Sequence, residues 1–120
     1  MAETQRHRAP EKILLATDLL PACDRAFDRA VLLAKAWGSE LTVMHVVATG
    51  EREVIGVARR ESIADAEIKA LVAPHRAEKG FKIAHYLTFG EPAERLIEIA
   101  RETGAGLIVT GVAQAKSLRE

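Results

Sequence analysis

The chain has 120 residues, of which 48% are hydrophobic, so it can bury one core but is too short for two ordinary domains. Its 17 basic and 17 acidic residues cancel, which excludes a strong overall charge that would attract nucleic acid or an anionic membrane. Cys23 is the single cysteine, so no intrachain disulfide can form, and we expect a cytoplasmic protein.

The polar N-terminal segment, residues 1–11, contains no apolar run of the kind found in signal peptides or membrane anchors. We expect it to form a mobile arm that is followed by a single domain over residues 12–120. The longest apolar run in the whole chain is far shorter than a membrane span, so the sequence also predicts no membrane partner.

The first half of the domain predicts a strand, a helix and a second strand. Residues 13–16 are apolar without alternation, which is typical of a strand buried on both faces of a parallel sheet. Asp24 is a candidate capping acid for a helix that ends at Gly38. The apolar residues at helical spacing are Phe27, Ala30, Val31, Ala34 and Trp37. Residues 41–47 are rich in β-branched side chains and predict a second buried strand, which a loop over 48–57 follows.

The second half predicts two more helices and two more strands. A helix over about 59–79 is expected to be kinked or divided by Pro74. Residues 82–89 mix polar and apolar side chains, as an edge strand does. A third helix begins at residues 90–92, and a fourth strand covers 107–110. The predicted buried faces are Ala64, Ile68, Leu71 and His75 in the longer helix and Ala93, Leu96, Ile97 and Ala100 in the third helix.

Strands that alternate with helices predict an α/β fold of three layers, in which helices cover both faces of a mostly parallel sheet. Ligands of such sheets bind beyond the carboxyl ends of the strands, where the connections diverge, so the loops after the first and fourth strands are candidate sites. In these loops, the Asp18 carboxylate can accept hydrogen bonds from ribose or adenine, and Gly111 allows close backbone approach. Alternatively, Asp18 only ties down its own loop as an Asx-turn, which the spacing alone favours.

The cysteine and two histidines are further candidates. Cys23 lies near a helix N-terminus, where a lowered thiol pKa would suit redox chemistry, although a small residue in a turn is the favoured interpretation. His45 and His85 have no partner at a spacing that forces metal binding, so core or edge histidines are favoured and a metal stays an open question. The sequence contains no phosphate-loop, dinucleotide or nucleophile-elbow motif and predicts no catalytic residue.

Four short segments carry a family resemblance, and they are residues 12–18 (KILLATD), 41–47 (LTVMHVV), 90–92 (GEP) and 104–111 (GAGLIVTG). In this order, and spread over nearly the whole chain, they resemble the universal stress protein family. The resemblance implies a stress-response regulatory protein with a parallel sheet in the order 3-2-1-4-5, frequent dimerisation through the fifth strand, ATP binding in one subclass and no settled catalytic activity. Because the sequence ends at Glu120, we expect the order 3-2-1-4, with the fifth strand missing or supplied by a partner. We also expect a homo-oligomer formed through the fourth strand or the C-terminal segment.

The resemblance also implies nucleotide-binding residues. Carried over position by position from the ATP-binding subclass, they are Ala16, Thr17 and Asp18 at the adenosine, Val46 at the base and Gly111 at the start of the phosphate loop. Gln114 replaces the second glycine of that loop, and Glu120 comes before the third. We therefore expect ATP binding that is weakened by an incomplete phosphate loop, with slow ATP hydrolysis as the most that the family analogy allows. The alternative is an oligomeric interaction module that binds no nucleotide.

Overall fold

The computed structural model describes residues 9–20, 23–47 and 54–111. Strands and helices alternate along the chain, as the sequence predicts. They are β1 (Lys12–Ala16), α1 (Asp24–Trp37), β2 (Glu40–Val47), α2 (Val54–Arg76), β3 (Ile83–Phe89), α3 (Pro92–Thr103) and β4 (Leu107–Thr110). Within these residues, no helix has both the length and the apolar character needed to cross a membrane.

The four strands form one parallel sheet in the order β3-β2-β1-β4. This confirms the three-layer α/β prediction and the expected strand order, with β1 inside the sheet and β3 at an edge. The apolar run of β1 is buried on both faces, since Ile13, Leu14 and Leu15 are at most 1% exposed. A strand flanked by partners and covered on both sides has no solvent-facing positions, which is why its sequence shows no alternation.

Helices cover the two faces of the sheet unequally. Against one face, α1 and α2 bury a large cluster made of Ile13, Leu15, Phe27, Ala30, Val31, Ala34, Leu41, Val43, Ile68 and Val72. Against the other face, α3 packs with a small cluster made of Leu14, Met44 and Ile99. Successive residues of a strand point to opposite faces, so Leu14 and Leu15 belong to different clusters.

A polar cluster links α1 to the connection between α2 and β3. The Glu78 carboxylate lies 2.5 Å from Lys35 Nζ of α1 and 2.6 Å from His75 Nδ1 of α2. The His75 ring also lies between Phe27 and Phe81, with centroid distances of 5.6 Å and 6.0 Å. These contacts tie together three segments on the side of the large cluster.

The predicted boundaries of α2 are wrong at both ends. Residues 54–57, predicted as loop, are helical, and residues 48–53 of that loop lie outside the described residues. Gly56 disfavours a helix by about 1 kcal/mol relative to alanine, a cost that the continuing helix overcomes. Pro74 does not divide α2, because it lies in the last turn, where the helix ends at Arg76 before the predicted residue 79.

The predicted faces of α1 and α3 also need correction. Trp37, the last residue of α1, is 43% exposed at the N-terminal edge of the sheet, although the other four predicted residues are buried. In α3 the buried residue is Ile99, whereas Ile97 is 50% exposed and Ala93 is exposed. The helical period shows that a helix has an apolar face, but it does not fix the rotation of that face relative to the sheet. The prediction therefore placed Ile97 in the core instead of Ile99.

The start of α1 differs from the prediction as well. The residue before the helix is Cys23, which makes no side-chain capping hydrogen bond, and the predicted capping acid Asp24 is the first helical residue. An acid in the first turn still interacts favourably with the positive end of the helix dipole. The ends of α1 and α3 agree with the sequence, since Gly38 and Gly104 adopt left-handed conformations with φ of 67° and 72°.

Candidate functional site

The carboxyl edge of the sheet contains a step. The last residue of β1, Ala16, pairs with Met44 of β2 and with Thr110 of β4. Strand β2 continues for residues 45–47, which pair with residues 87–89 of β3. At about 3.3 Å per residue, β2 therefore extends roughly 10 Å beyond β1. The step lies at the carboxyl ends of β1 and β4, which is the predicted place for a ligand.

A cavity of about 330 Å³, which we call the α3-side cavity, occupies this step. It brings together five of the six residues predicted for nucleotide binding, and they are Ala16, Thr17, Asp18, Val46 and Gly111. The sixth, Gln114, lies outside the described residues. One wall of the cavity was not predicted from the sequence, and it consists of Pro92, Ala93 and Leu96 of α3. Their helical spacing was visible, but only the packing of α3 on the sheet brings them to the ends of β1 and β2.

The loop after β1 is fixed by its own side chains. The Leu19 amide donates to Thr17 Oγ1 at 3.0 Å, and the Leu20 amide donates to Asp18 Oδ1 at 2.9 Å. The Thr17 amide in turn donates to the Met44 carbonyl at 2.9 Å. Leu19 adopts φ of 64°, a left-handed conformation that a leucine holds only when its surroundings enforce it. The Asx-turn predicted for Asp18 is therefore present.

Asp18 is the charged group of the α3-side cavity. Its partial burial acts to raise the pKa of this carboxyl, but hydrogen bonds from the Cys23 thiol and the Leu20 amide outweigh it and hold the pKa below its ordinary value. Asp18 is thus ionised at neutral pH. A carboxylate has about four lone-pair positions, so the turn and the thiol leave acceptor capacity for hydroxyl or amine groups of a ligand.

Cys23 packs against both the loop and the end of β4. A Cβ atom on Gly111 would lie 2.6 Å from Cys23 Sγ and 3.2 Å from Cys23 Cα, so only glycine fits there without displacing its neighbour. The thiol is 6% exposed, and burial raises its pKa, with the adjacent Asp18 carboxylate adding to the shift. The hypothesis of a redox thiol with a lowered pKa is therefore wrong, because a buried thiol of raised pKa is a poor nucleophile.

The two strand histidines make local hydrogen bonds. His45 Nδ1 lies 2.8 Å from the Thr17 carbonyl oxygen, which can only accept, so Nδ1 carries the hydrogen. His85 Nδ1 accepts from Arg76 Nη2 at 2.5 Å on the edge strand. Across the part of the chain that the structure describes, no three His, Cys, Asp or Glu side chains gather as metal ligands.

The α3-side cavity offers few groups that would bind a phosphate. Among its twelve described lining residues there is no lysine or arginine. The nearby N-terminus of α3 is occupied by Glu91, whose carboxylate accepts from the Ala93 and Glu94 amides at 3.1 Å each. Helix N-termini bind anions through backbone amides that have no other acceptor. Here the Glu91 carboxylate already accepts from two of these amides, so they are not available to a phosphate. The described cavity therefore suits an uncharged, partly apolar group with hydrogen-bond donors.

Comparison with known proteins identifies the family. The sequence model of the universal stress protein family matches residues 10–120, so the chain belongs to this family. Universal stress protein YxiE of Bacillus subtilis (strain 168) is 29% identical over 126 residues, which cover 91% of this chain and 83% of that protein.

Solved structures show the same fold. A universal stress protein family member from Burkholderia pseudomallei is 27% identical with a TM-score of 0.66, over 85% of this chain and 81% of that one. A universal stress protein in complex with cAMP is 23% identical with a TM-score of 0.68, over 84% of this chain and 75% of that one.

Proposed function

We propose that this universal stress protein binds an adenine nucleotide at the carboxyl edge of its sheet, mainly through the adenosine part. The observation that carries the proposal is the α3-side cavity, where the ionised Asp18 and the backbone of Gly111 border one space. The cAMP complex of a protein with the same fold supports a nucleotide as the ligand class. Asp18 would accept from the ribose hydroxyls, and Ala16 and Val46 would contact the base.

The same proposal includes weak binding of the phosphates. Gln114 introduces a Cβ where the family loop has a glycine, and the described lining of the α3-side cavity supplies no cationic side chain. Charge-assisted hydrogen bonds to phosphates contribute about 1.5 to 3 kcal/mol each, so few of them means that the triphosphate adds little affinity. The protein would then act as a nucleotide-binding regulator without catalytic residues of its own. Its cytoplasmic location stays a prediction.

Isothermal titration with adenosine, AMP and ATP tests this function. We expect adenosine to bind within about tenfold of ATP, and Asp18→Asn to weaken all three ligands by about tenfold or more, because a charged acceptor is lost. Asp28→Asn, at an exposed position of α1 outside the cavity, is the matched control and should change nothing. Submicromolar ATP binding with much weaker adenosine binding would show that another phosphate site exists, and no binding of any ligand would overturn the function.

We also propose self-association through β4, in line with the alternative of an oligomeric module. Among residues 9–20, 23–47 and 54–111, β4 pairs with β1 alone, and its Ile108 is 41% exposed. An uncharged edge strand without proline offers unpaired N–H and C=O groups to a second chain. Sedimentation at about 100 μM should show an associated species that Ile108→Lys disperses, since even a Kd near 10 μM gives mostly dimer there. A wild-type monomer at that concentration rules this out.

A further inference from the structure

Three parts of the candidate site meet at one side chain. A hydrogen bond from the Cys23 thiol helps to hold the pKa of the Asp18 carboxyl below its ordinary value. The Cys23 amide donates to the Leu20 carbonyl at 2.9 Å, and the sulfur fills the space beside the Gly111 backbone. Asp18 belongs to the loop after β1, whereas Gly111 follows β4. Cys23, the residue before α1, therefore contacts the loop after β1 and also Gly111, the residue that follows β4.

We propose that Cys23 is a positioning residue of the nucleotide site, which sets the distance and orientation between the Asp18 carboxylate and the Gly111 backbone. The inference rests on the proposed function. In that function Asp18 contacts the ribose and Gly111 lies at the start of the phosphate loop. The Cys23 side chain would therefore fix the positions of both ends of the site relative to each other. The thiol itself need not contact the ligand.

The close fit at Gly111 gives this role its physical basis. A methyl group at Gly111 would approach the sulfur to 2.6 Å, well inside normal contact distances. The Gly111 backbone and the Cys23 side chain are therefore packed too closely for any added atom between them. Cys23 is 6% exposed, and its backbone is held by the hydrogen bond to the Leu20 carbonyl, while Asp18 is fixed in a turn with the Leu20 amide. We therefore expect a change in the volume or hydrogen bonding of residue 23 to alter the positions of Asp18 and Gly111.

Two variants test whether the side chain at residue 23 positions the site. Cys23→Ser keeps a donor of similar size, whereas Cys23→Ala removes the donor and the atom beside Gly111. We expect Cys23→Ala to weaken adenosine binding about five- to tenfold, because a thiol is a weak donor and its loss acts on the ligand only through Asp18 and Gly111. Cys23→Ser should stay within about threefold of wild type.

The pKa of Asp18, followed by carboxyl-carbon NMR, is the readout that a purely structural role would not move. It should rise toward its ordinary value in Cys23→Ala and stay low in Cys23→Ser, because the thiol hydrogen bond favours the ionised carboxylate. His45 also acts on Asp18 and is unchanged in both variants. Ser39→Ala is the matched control, since it removes a buried donor to the Pro10 carbonyl at the opposite edge of the sheet. It should lower stability without moving the Asp18 pKa.

Gly111→Ala supplies an independent test of the contact. In the wild-type background it should weaken adenosine binding, and in the Cys23→Ala background it should weaken it less, because the sulfur that the new methyl would strike is gone. Equal adenosine affinity and an unmoved Asp18 pKa in Cys23→Ala, while wild type binds adenosine, would overturn the positioning role alone. Absence of adenosine binding in wild type would overturn the proposed function and this role with it.

Discussion

The two faces of the sheet differ in the size of the hydrophobic cluster that each one buries. On the α1/α2 face, ten described residues form one large cluster, and the polar contacts of Glu78 lie at its border. Cavities of about 300 Å³ and 350 Å³ lie at the carboxyl end of this face. On the α3 face, only three described residues are fully packed, and a cavity of about 330 Å³ lies beside them. The comparison indicates that the α1/α2 face contributes more of the buried core, and so more of the stability, than the α3 face does.

Matched truncations in β1 give the strongest test of this difference. Leu14 and Leu15 are adjacent and both fully buried, but they point to opposite faces. Leu15→Ala should lower the free energy of unfolding by about 3 to 5 kcal/mol, and Leu14→Ala by about 2 to 3 kcal/mol, because the looser α3 face can relax around the lost atoms. Urea unfolding of both variants measures this. A larger loss for Leu14→Ala would reverse the assignment of the faces.

A second pair tests how α3 packs on its face. Ile99 is 3% exposed and contacts the small cluster, whereas Ile97 is 50% exposed. Ile99→Ala should lower the free energy of unfolding by about 2 to 4 kcal/mol and Ile97→Ala by less than about 1 kcal/mol, since truncation costs little where a side chain already contacts water. Similar losses in the two variants would mean that α3 is rotated from the orientation described.

The smallest effect is expected at the border of the large cluster, and it depends on pH. Lys35 first, and His75 second, hold the pKa of the Glu78 carboxyl below its ordinary value. A carboxyl whose pKa is lowered by folding stabilises the protein above its unfolded pKa, and that contribution is lost as the pH falls through the folded pKa. At pH 7, Glu78→Gln should have a lower free energy of unfolding than wild type. This difference should decrease as the pH is lowered from about 5 toward 3.

Urea midpoints of wild type and Glu78→Gln across this pH range provide the measurement. The difference should also decrease in high salt, because Glu78 lies at the surface, where charges are screened. Glu61→Gln, at an exposed position of α2, is the control and should show no such trend. A difference that grows at low pH would contradict the sign of the effect.

What the sequence predicts well in this protein is local. The apolar run of β1 predicts its central position, and Gly38 and Gly104 predict the ends of two helices. The stop of α2 and the choice between Ile97 and Ile99 were missed, because periodicity fixes an element more firmly than its ends or its rotation.

The residues of the candidate site also differ in whether the local sequence could predict them. Asp18 and Gly111 could be found from their places after buried strands. The contact of Cys23 with Gly111 could not, because it joins the start of α1 to the end of β4, which are far apart in the chain. No spacing rule connects these two positions.

The step formed by the longer β2 has a consequence for how this family can diversify. Ala16, Val46 and Thr110 line the step, and none of them is fully buried. Under the proposed function, substitutions at these positions would alter the shape of the ligand site while leaving the large cluster of the other face intact. Ala16 and Val46 also pack against the small cluster of the α3 face, so any cost in stability would fall on that smaller cluster.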